Sequence, residues 1–333
     1  MKARYKFWYA TIFSILILNA CKKDGDMNSK ELSVFIKTAG GDVHVANLAF
    51  RRTPLAVSGD SIAKFPAYLT REINSDVLVN ISIDESLVSN YNSANKTNYI
   101  LLPAANYKIV GSAQLTIPAG SVISTDSLRI QLLDRLQLNN DNGYLLPLSI
   151  SEISGKDKGA KSSDNYRTVY VVVKSTYTNI SDAQLPLTGT FIPRTGWVPS
   201  VGSTTAGSLG PAMLDGINTT AWRSSSTSSF AAKWLTIDMG AAQQIKGFVM
   251  VPNYVATTEN ATAITVSTST DNVTWTVQGA WKGTGPAATS SVINPDLKNI
   301  NFIVPVQARY FRFDVTASNN ASRVGIAELN VVQ

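Results

Sequence analysis

The apolar residues of this 333-residue chain recur at a spacing of two, in runs too short for helices. Val77, Val79, Ile81 and Ile83 alternate with Leu78, Asn80 and Ser82. Leu128, Ile130 and Leu132 repeat the pattern, as do Leu235, Ile237 and Met239 against Trp234, Thr236 and Asp238. Successive side chains on a strand point to opposite faces, so this period reads as half-buried sheet. Turn formers separate the runs, as in Thr116-Ile117-Pro118-Ala119-Gly120. Charged residues make up 16% of the chain and apolar ones 44%. That excludes a disordered chain and argues against a helical protein laced with ion pairs. Between Glu31 and about Lys174, only Glu85 to Ala94 reads as a helical turn. The fold expected is all-β, and the length predicts two domains.

The N-terminus carries an export signal. Lys2, Arg4 and Lys6 precede an apolar run from Phe7 to Leu18, and Leu18-Asn19-Ala20-Cys21 follows. A basic stub, a short apolar stretch and small residues before a cut are the marks of a secretory signal. The run is shorter than the ~20 apolar residues of a membrane span. Leu-Asn-Ala-Cys resembles the lipobox of bacterial lipoproteins, which implies a signal peptide over 1–20, lipidation of Cys21 and a tether over 21–30. The membrane is then met only through the lipid anchor. Lys22-Lys23-Asp24-Gly25-Asp26 resembles the surface-export stretch of Bacteroidota lipoproteins, implying the outer membrane, facing the exterior. The formal net charge of +6 falls to +3 once Lys2, Arg4 and Lys6 are removed, too little to point to nucleic acid. One cysteine and one histidine, Cys21 and His44, exclude a disulfide framework, a Cys/His zinc site and a Cys–His dyad on a folded domain.

Residues 31–175 read as one β-domain. Gln114 to Ile117, Leu145 to Ile150 and Thr168 to Val173 are further strands. Pro147 inside the second of these predicts an edge or a bulge. Asp76-Val77, Tyr91-Asn92, Tyr99-Ile100-Leu101-Leu102-Pro103, Tyr107, Thr116 to Ser121 and Tyr144 to Leu148 resemble, as a set, one known domain family. It is the N-terminal immunoglobulin-like domain of Bacteroidota surface lipoproteins, the domain-of-unknown-function 1735 family. The resemblance implies a β-sandwich spacer or docking module and transfers no catalytic residue. A Thr/Asn/Ser/Pro connector over 176–186 then predicts a semi-flexible link.

The second half, 187–333, contains Trp197, Trp222, Trp234, Trp275 and Trp281. Six pieces stand in order: Ala212 to Gly216 with Thr220 to Ser224, Trp234 to Gly240, Ile245 to Phe248, Val266 to Trp275, Ala308 to Phe313, and Ile326 to Leu329. Together they resemble the coagulation factor 5/8 type C (discoidin) domain, whose bacterial relatives include family 32 carbohydrate-binding modules. The resemblance implies a jelly-roll β-sandwich with ligands at its loop end. It also implies a structural calcium held by Asp215, the carbonyl of Ile217, Thr220 and Glu328, a set of hard oxygen donors. Asn218 is a further oxygen near them. Trp222 and Trp275 match core positions, whereas Trp197 and Trp234 fit either core or ligand face.

Seven residues are candidates for the ligand site: Arg223, Phe230, Asn253, Tyr254, Asn319, Asn320 and Arg323. Arg and Asn side chains bind vicinal hydroxyls or a sugar carboxylate through paired hydrogen bonds. Asn253 stands where the family's galactose binders often place an Arg, and Arg223 where many have His, so galactose specificity does not carry over. His44 reads as structural, no nucleophile elbow accompanies it, and no phosphate or dinucleotide motif occurs. A non-catalytic glycan-binding lipoprotein is therefore expected. It would act in a polysaccharide-utilisation system beside an outer-membrane transporter and glycosidases. An adhesin for host protein or lipid, and a hydrolase or hydrolase accessory, stay open as alternatives.

Overall fold

The structure, a computed structural model, describes residues 31–40, 43–156, 159–319 and 322–333. The signal peptide, the tether, Cys21 and Asn320 lie outside the described residues. No described helix is long and apolar enough to cross a membrane.

The first domain contains β1 (Ser33–Ile36), β2 (Val45–Arg52), β3 (Val57–Gly59), β4 (Ile62–Leu69), β5 (Val77–Ile83), α1 (Leu87–Asn95), β6 (Ile100–Leu101), β7 (Tyr107–Val110), β8 (Gln114–Ile117), β9 (Ile123–Leu132), β10 (Tyr144–Gly155), β11 (Lys161–Ser162) and β12 (Thr168–Tyr177). One sheet runs β11-β1-β4-β9-β7, and the other β3-β2-β12-β10-β5-β8 with β6 beside β10. The alternating positions do what their spacing predicts. Val77, Val79 and Ile81 on one sheet and Leu128, Ile130 and Leu132 on the other are all buried in a single core. The expected helical turn is α1, ended by Lys96 in the left-handed conformation.

Pro147 does not mark an edge or a bulge. It pairs with Tyr170 inside β10, and the register irregularity falls between Ile150 and Glu152. On its other side, β6 pairs only as far as Leu145 and β5 begins at Leu148. Proline sits in that gap between two neighbours, where a missing N–H interrupts no ladder. His44 stacks on Tyr166, with ring centroids 4.8 Å apart.

The second domain contains β13 (Val198–Val201), β14 (Trp222–Arg223), β15 (Trp234–Pro252), β16 (Ala261–Ser269), β17 (Thr276–Lys282), β18 (Lys298–Ser318) and β19 (Gly325–Val332). Its two longest strands each serve two layers. The first part of β15 pairs with β13 and with Tyr310–Asp314 of β18, which continues to β16 and β17. Beyond shifts in register between Asp238 and Gly247, the second part of β15 pairs with Lys298–Asn301 of β18 and with β19, which meets β14. Bulges bend a strand and increase its twist, which lets one strand turn a corner between layers. Phe248 fills the space between the layers, 4.8 Å from Phe311, 5.0 Å from Phe313 and 5.5 Å from Phe302.

The connector is pinned, contrary to the semi-flexible link expected. Asn179 is 1% exposed. Its carbonyl accepts from Ile303 N at 2.7 Å, and its N–H donates to Gln278 O. Its side-chain Nδ2 donates to Gln278 Oε1 at 3.0 Å and Val304 O at 2.8 Å, while Oδ1 accepts from Val304 N at 2.9 Å. On one flank Thr178 N donates to Arg52 O of the first domain, and on the other Ser181 N donates to Asn301 O of the second. Gly279, at φ +137°, lets this chain lie close, since a Cβ there would collide with Thr178. Arg51 also pairs with Asp182, but that carboxylate is 82% exposed, so Asn179 dominates the joint. Asn179→Ala removes a buried amide with all its bonds and strands those of Val304 and Gln278. We expect a loss of about 2–4 kcal/mol in denaturant unfolding of the full chain; a change under about 0.5 kcal/mol would show the joint to be unanchored.

Candidate functional site

Several loops meet at one end of the second sandwich. The loop after β15 (253–260), the β18–β19 turn, the segment after β14 and the loop after β17 are brought there by the pairing of Pro252 with Ile326, Arg223 with Gly325, and Ala263 with Lys282.

The loop after β15 is built from inside. Asn253, expected on the surface as a ligand group, is 0% exposed. Its Oδ1 accepts from Val255 N at 3.0 Å and Ala256 N at 3.3 Å, an Asx turn that reverses the chain. Its own N–H donates to Asn260 Oδ1, and Asn260 Nδ2 returns to Asn253 O at 3.1 Å. Gly325 makes room for it, because a Cβ there would meet Asn253 Nδ2. Asn253 therefore shapes the loop.

Arg223 is also committed. Its Nε donates to Glu259 Oε2 at 2.7 Å and its Nη2 to Glu259 Oε1 at 2.6 Å, a two-pronged pair around a carboxylate that is 4% exposed. The Arg223 hydrogen bond holds the Glu259 carboxyl below its ordinary range, against the opposing effect of burial. Arg323 approaches the same carboxylate at 3.6 Å. Phe230 stands on a short 3₁₀ turn, its ring covered by Lys233 Nζ at 3.8 Å.

Tyr254 and Asn319 line a shallow groove of about 300 Å³ with Thr257, Thr258, Pro286, Ala287, Ala288 and Ser290. The tyrosine is fixed at both ends. Its ring packs on Ala221, Val251 and Ala327, and its hydroxyl accepts from Asp296 N at 2.7 Å. Asn319 N donates to Asn260 O at 3.0 Å, and its exposed side-chain amide stands at the groove, with Nδ2 3.5 Å from Thr257 O. The groove thus offers one held aromatic edge with hydroxyl and amide groups around it.

Behind the tyrosine, beyond Ala221, lies the set implied for calcium. Thr220 Oγ1 has one proton, yet three oxygens face it: Asp215 Oδ2 at 2.7 Å, Ile217 O at 2.8 Å and Ala212 O at 3.4 Å. This surplus of acceptors around one hydroxyl is an all-oxygen donor set that fits a hard divalent cation. Glu328 borders the set at 3% exposure, with Oε1 accepting from Gly216 N at 2.7 Å and Ile217 N at 3.1 Å. Its Oε2 pairs with Arg194. Burial pushes the Glu328 carboxyl up. At Asp215 burial is outweighed by hydrogen bonds from Thr220 and Ile217, which bring it down. Asn218 Nδ2 instead donates to Val292 O at 3.1 Å, tying this loop to the one after β17. Among the described residues no group of three His, Cys, Asp or Glu side chains gathers, so backbone and hydroxyl oxygens make up most of the set.

Of the tryptophans, Trp222, Trp281 and Trp197 are buried, as the core match for Trp222 implies. Trp234 lies under Arg312 at 4.5 Å, and Trp275 is half-buried. The sequence does not single out Glu259, Thr257, Thr258, Ser290 or Arg194. A lone acid in the Thr-Thr-Glu-Asn stretch before β16 is the one local signal for Glu259.

Residues 200–329 match the model of the F5/8 type C domain, and residues 25–157 match a family model described as an N-terminal domain. This is the order of domains that the sequence motifs imply. A two-domain protein with unknown function from Bacteroides fragilis NCTC 9343 shares the fold over 90% of this chain and 95% of its own, at 18% identity and a TM-score of 0.53. The family 32 module from Clostridium perfringens NanJ, solved in complex with galactose, covers 44% of this chain and all of its own (100%), at 18% identity and a TM-score of 0.39. A family 32 module of a C. perfringens family 89 glycoside hydrolase, solved in complex with GalNAc-beta-1,3-galactose, covers 43% and 100%, at 19% identity and a TM-score of 0.35. No curated protein matches the chain.

Glu259→Gln leaves the half-buried Arg223 beside a neutral amide, and should cost about 3 kcal/mol in unfolding free energy, the low end for a broken buried pair. The folded pKa of Glu259 lies below its unfolded value, so its contribution is fully present above the ordinary glutamate pKa of about 4.3 and is lost as pH falls through the depressed value. Melting curves between pH 3 and 7 should show this acid-sensitive component in the parent and not in the variant.

Proposed function

We propose that this chain is a non-catalytic glycan-binding protein whose second domain takes sugar in the groove beside Tyr254. The observation that carries the reading is the groove itself, on a domain that matches the F5/8 type C family and resembles carbohydrate-binding modules. Its walls supply what a pyranose needs: an apolar aromatic edge for the C–H face, and Thr257, Thr258, Ser290 and Asn319 for the hydroxyls. Calcium on Asp215, Thr220 and the carbonyls of Ile217 and Ala212, beside Glu328, pins the loop that carries Ala221 and so keeps Tyr254 in place. In this proposal Cys21 carries the lipid, the chain stands on the outer membrane facing the exterior, and it works within a polysaccharide-utilisation system beside a transporter and glycosidases.

A glycan array with the full chain tests the reading. Binding to matrix proteins without any glycan hit would favour the adhesin alternative and end the glycan one. Against a glycan that binds, Asn319→Ala and Tyr254→Ala should each weaken affinity about tenfold or more, about 1.4 kcal/mol. EDTA should lower the melting temperature by about 5 °C, restored by added calcium; an unmoved melting temperature rules out the ion.

A further inference from the structure

The second domain has five arginines, and four of them are closely paired. Arg194 pairs with Glu328, Arg223 with Glu259 at 2.6 Å, Arg309 with Asp238 at 2.8 Å and Arg312 with Asp314 at 2.6 Å. Arg323 differs. Its Nη1 stands 3.6 Å from a Glu259 oxygen that Arg223 already holds. Its Nη2 reaches Ser226 Oγ at 3.4 Å, and its Nε is buried with no partner. A guanidinium carries five donors in a rigid fork. Here none of them makes a short bond, although the side chain is 30% exposed and open to a ligand.

The arginine is also held in place. Its carbonyl accepts from Ser318 Oγ at 2.8 Å, which ties Arg323 to the end of β18 next to the groove residue Asn319. The charges beside the groove are two guanidinium groups and Lys298 against the carboxylates of Glu259 and Asp296, and Asp296 is matched by Lys298 at 2.8 Å and by Ala287 N. An anion that brings two oxygens to the exposed part of the Arg323 guanidinium would supply the short, charge-assisted bonds that Nη1 and Nη2 leave unmade.

We infer that Arg323 makes this an acidic-glycan site, with its guanidinium taking a carboxylate or sulfate group borne by a sugar. This rests on the glycan-binding reading and names the substrate class for that site. The anion comes from a uronic acid or from a sulfate ester, and the probes separate the two sources.

The test is calorimetric titration of the full chain with oligogalacturonate, its methyl ester, a sulfated galactan oligosaccharide and the desulfated form. At least one anionic probe should bind ten or more times more tightly than its neutral counterpart at low salt, and the difference should shrink as salt rises. Arg323→Gln should bring the anionic probe down to the affinity of the neutral one, while Arg323→Lys keeps part of the preference through charge without the fork. If Arg323→Gln does not fold, the comparison of acid with ester on the parent chain decides. Equal binding of anionic and neutral probes overturns the inference and leaves the glycan reading standing; glycan binding nowhere on the array ends both.

Discussion

The pairing of β15 with β18 is the constraint on which the second domain depends. Both strands turn between layers, so one ladder sets the spacing of the two sheets and the place of every loop at the working end. Phe248, Phe302, Phe311 and Phe313 all lie on these two strands and pack against one another between the layers. Aromatic rings met edge to face fill the corner with large apolar area. The register also fixes which residue follows the end of each strand. Pro252 opposite Ile326 puts Asn253 against Gly325, and the loop that starts there needs no further element to aim it.

Two buried carboxylates then organise the loops. Glu259 gathers Arg223 and Arg323 from two other segments, and Glu328 gathers Arg194 with the amides of Gly216 and Ile217. Each is a charge taken out of water and tolerated because several donors converge on it. Loops without regular structure have no ladder to satisfy their backbone; Glu328 takes up that task for Gly216 and Ile217, while Glu259 joins its segments through arginine side chains. The groove beside Tyr254 lies between them, since its tyrosine rests on Ala221 and Ala327, the neighbours in sequence of Thr220 and Glu328.

Much of this fold was legible because period-two alternation is local. The strands around Val77, Leu128 and Leu235 follow from residues two apart. What was not legible depends on the far side of a pairing. The stretch Gly240 to Gln244 breaks the alternation, so β15 reads as two strands, although the exposed bulge joins them. Pro147 looks like an edge until the gap between β5 and β6 is seen. Asn253 sits after a strand, where a polar residue reads as surface, but its oxygen serves the backbone two and three residues on. Arg223 and Glu259 are 36 positions apart, and nothing in either segment announces the other. Asp215, Thr220 and Glu328 were all singled out through family resemblance, because nothing local to any of the three shows that a residue more than a hundred positions away meets the first two.

The closed joint at Asn179 gives the molecule a mechanical character. The bonds at Asn179 tie the incoming chain to Gln278, Ile303 and Val304, while Thr178 is tied back to Arg52. A pull on the loop end of the second domain therefore reaches the first through several hydrogen bonds acting side by side, and not through a slack thread. Tension then enters the first domain along β12, which is paired on both sides, with β10 and with β2.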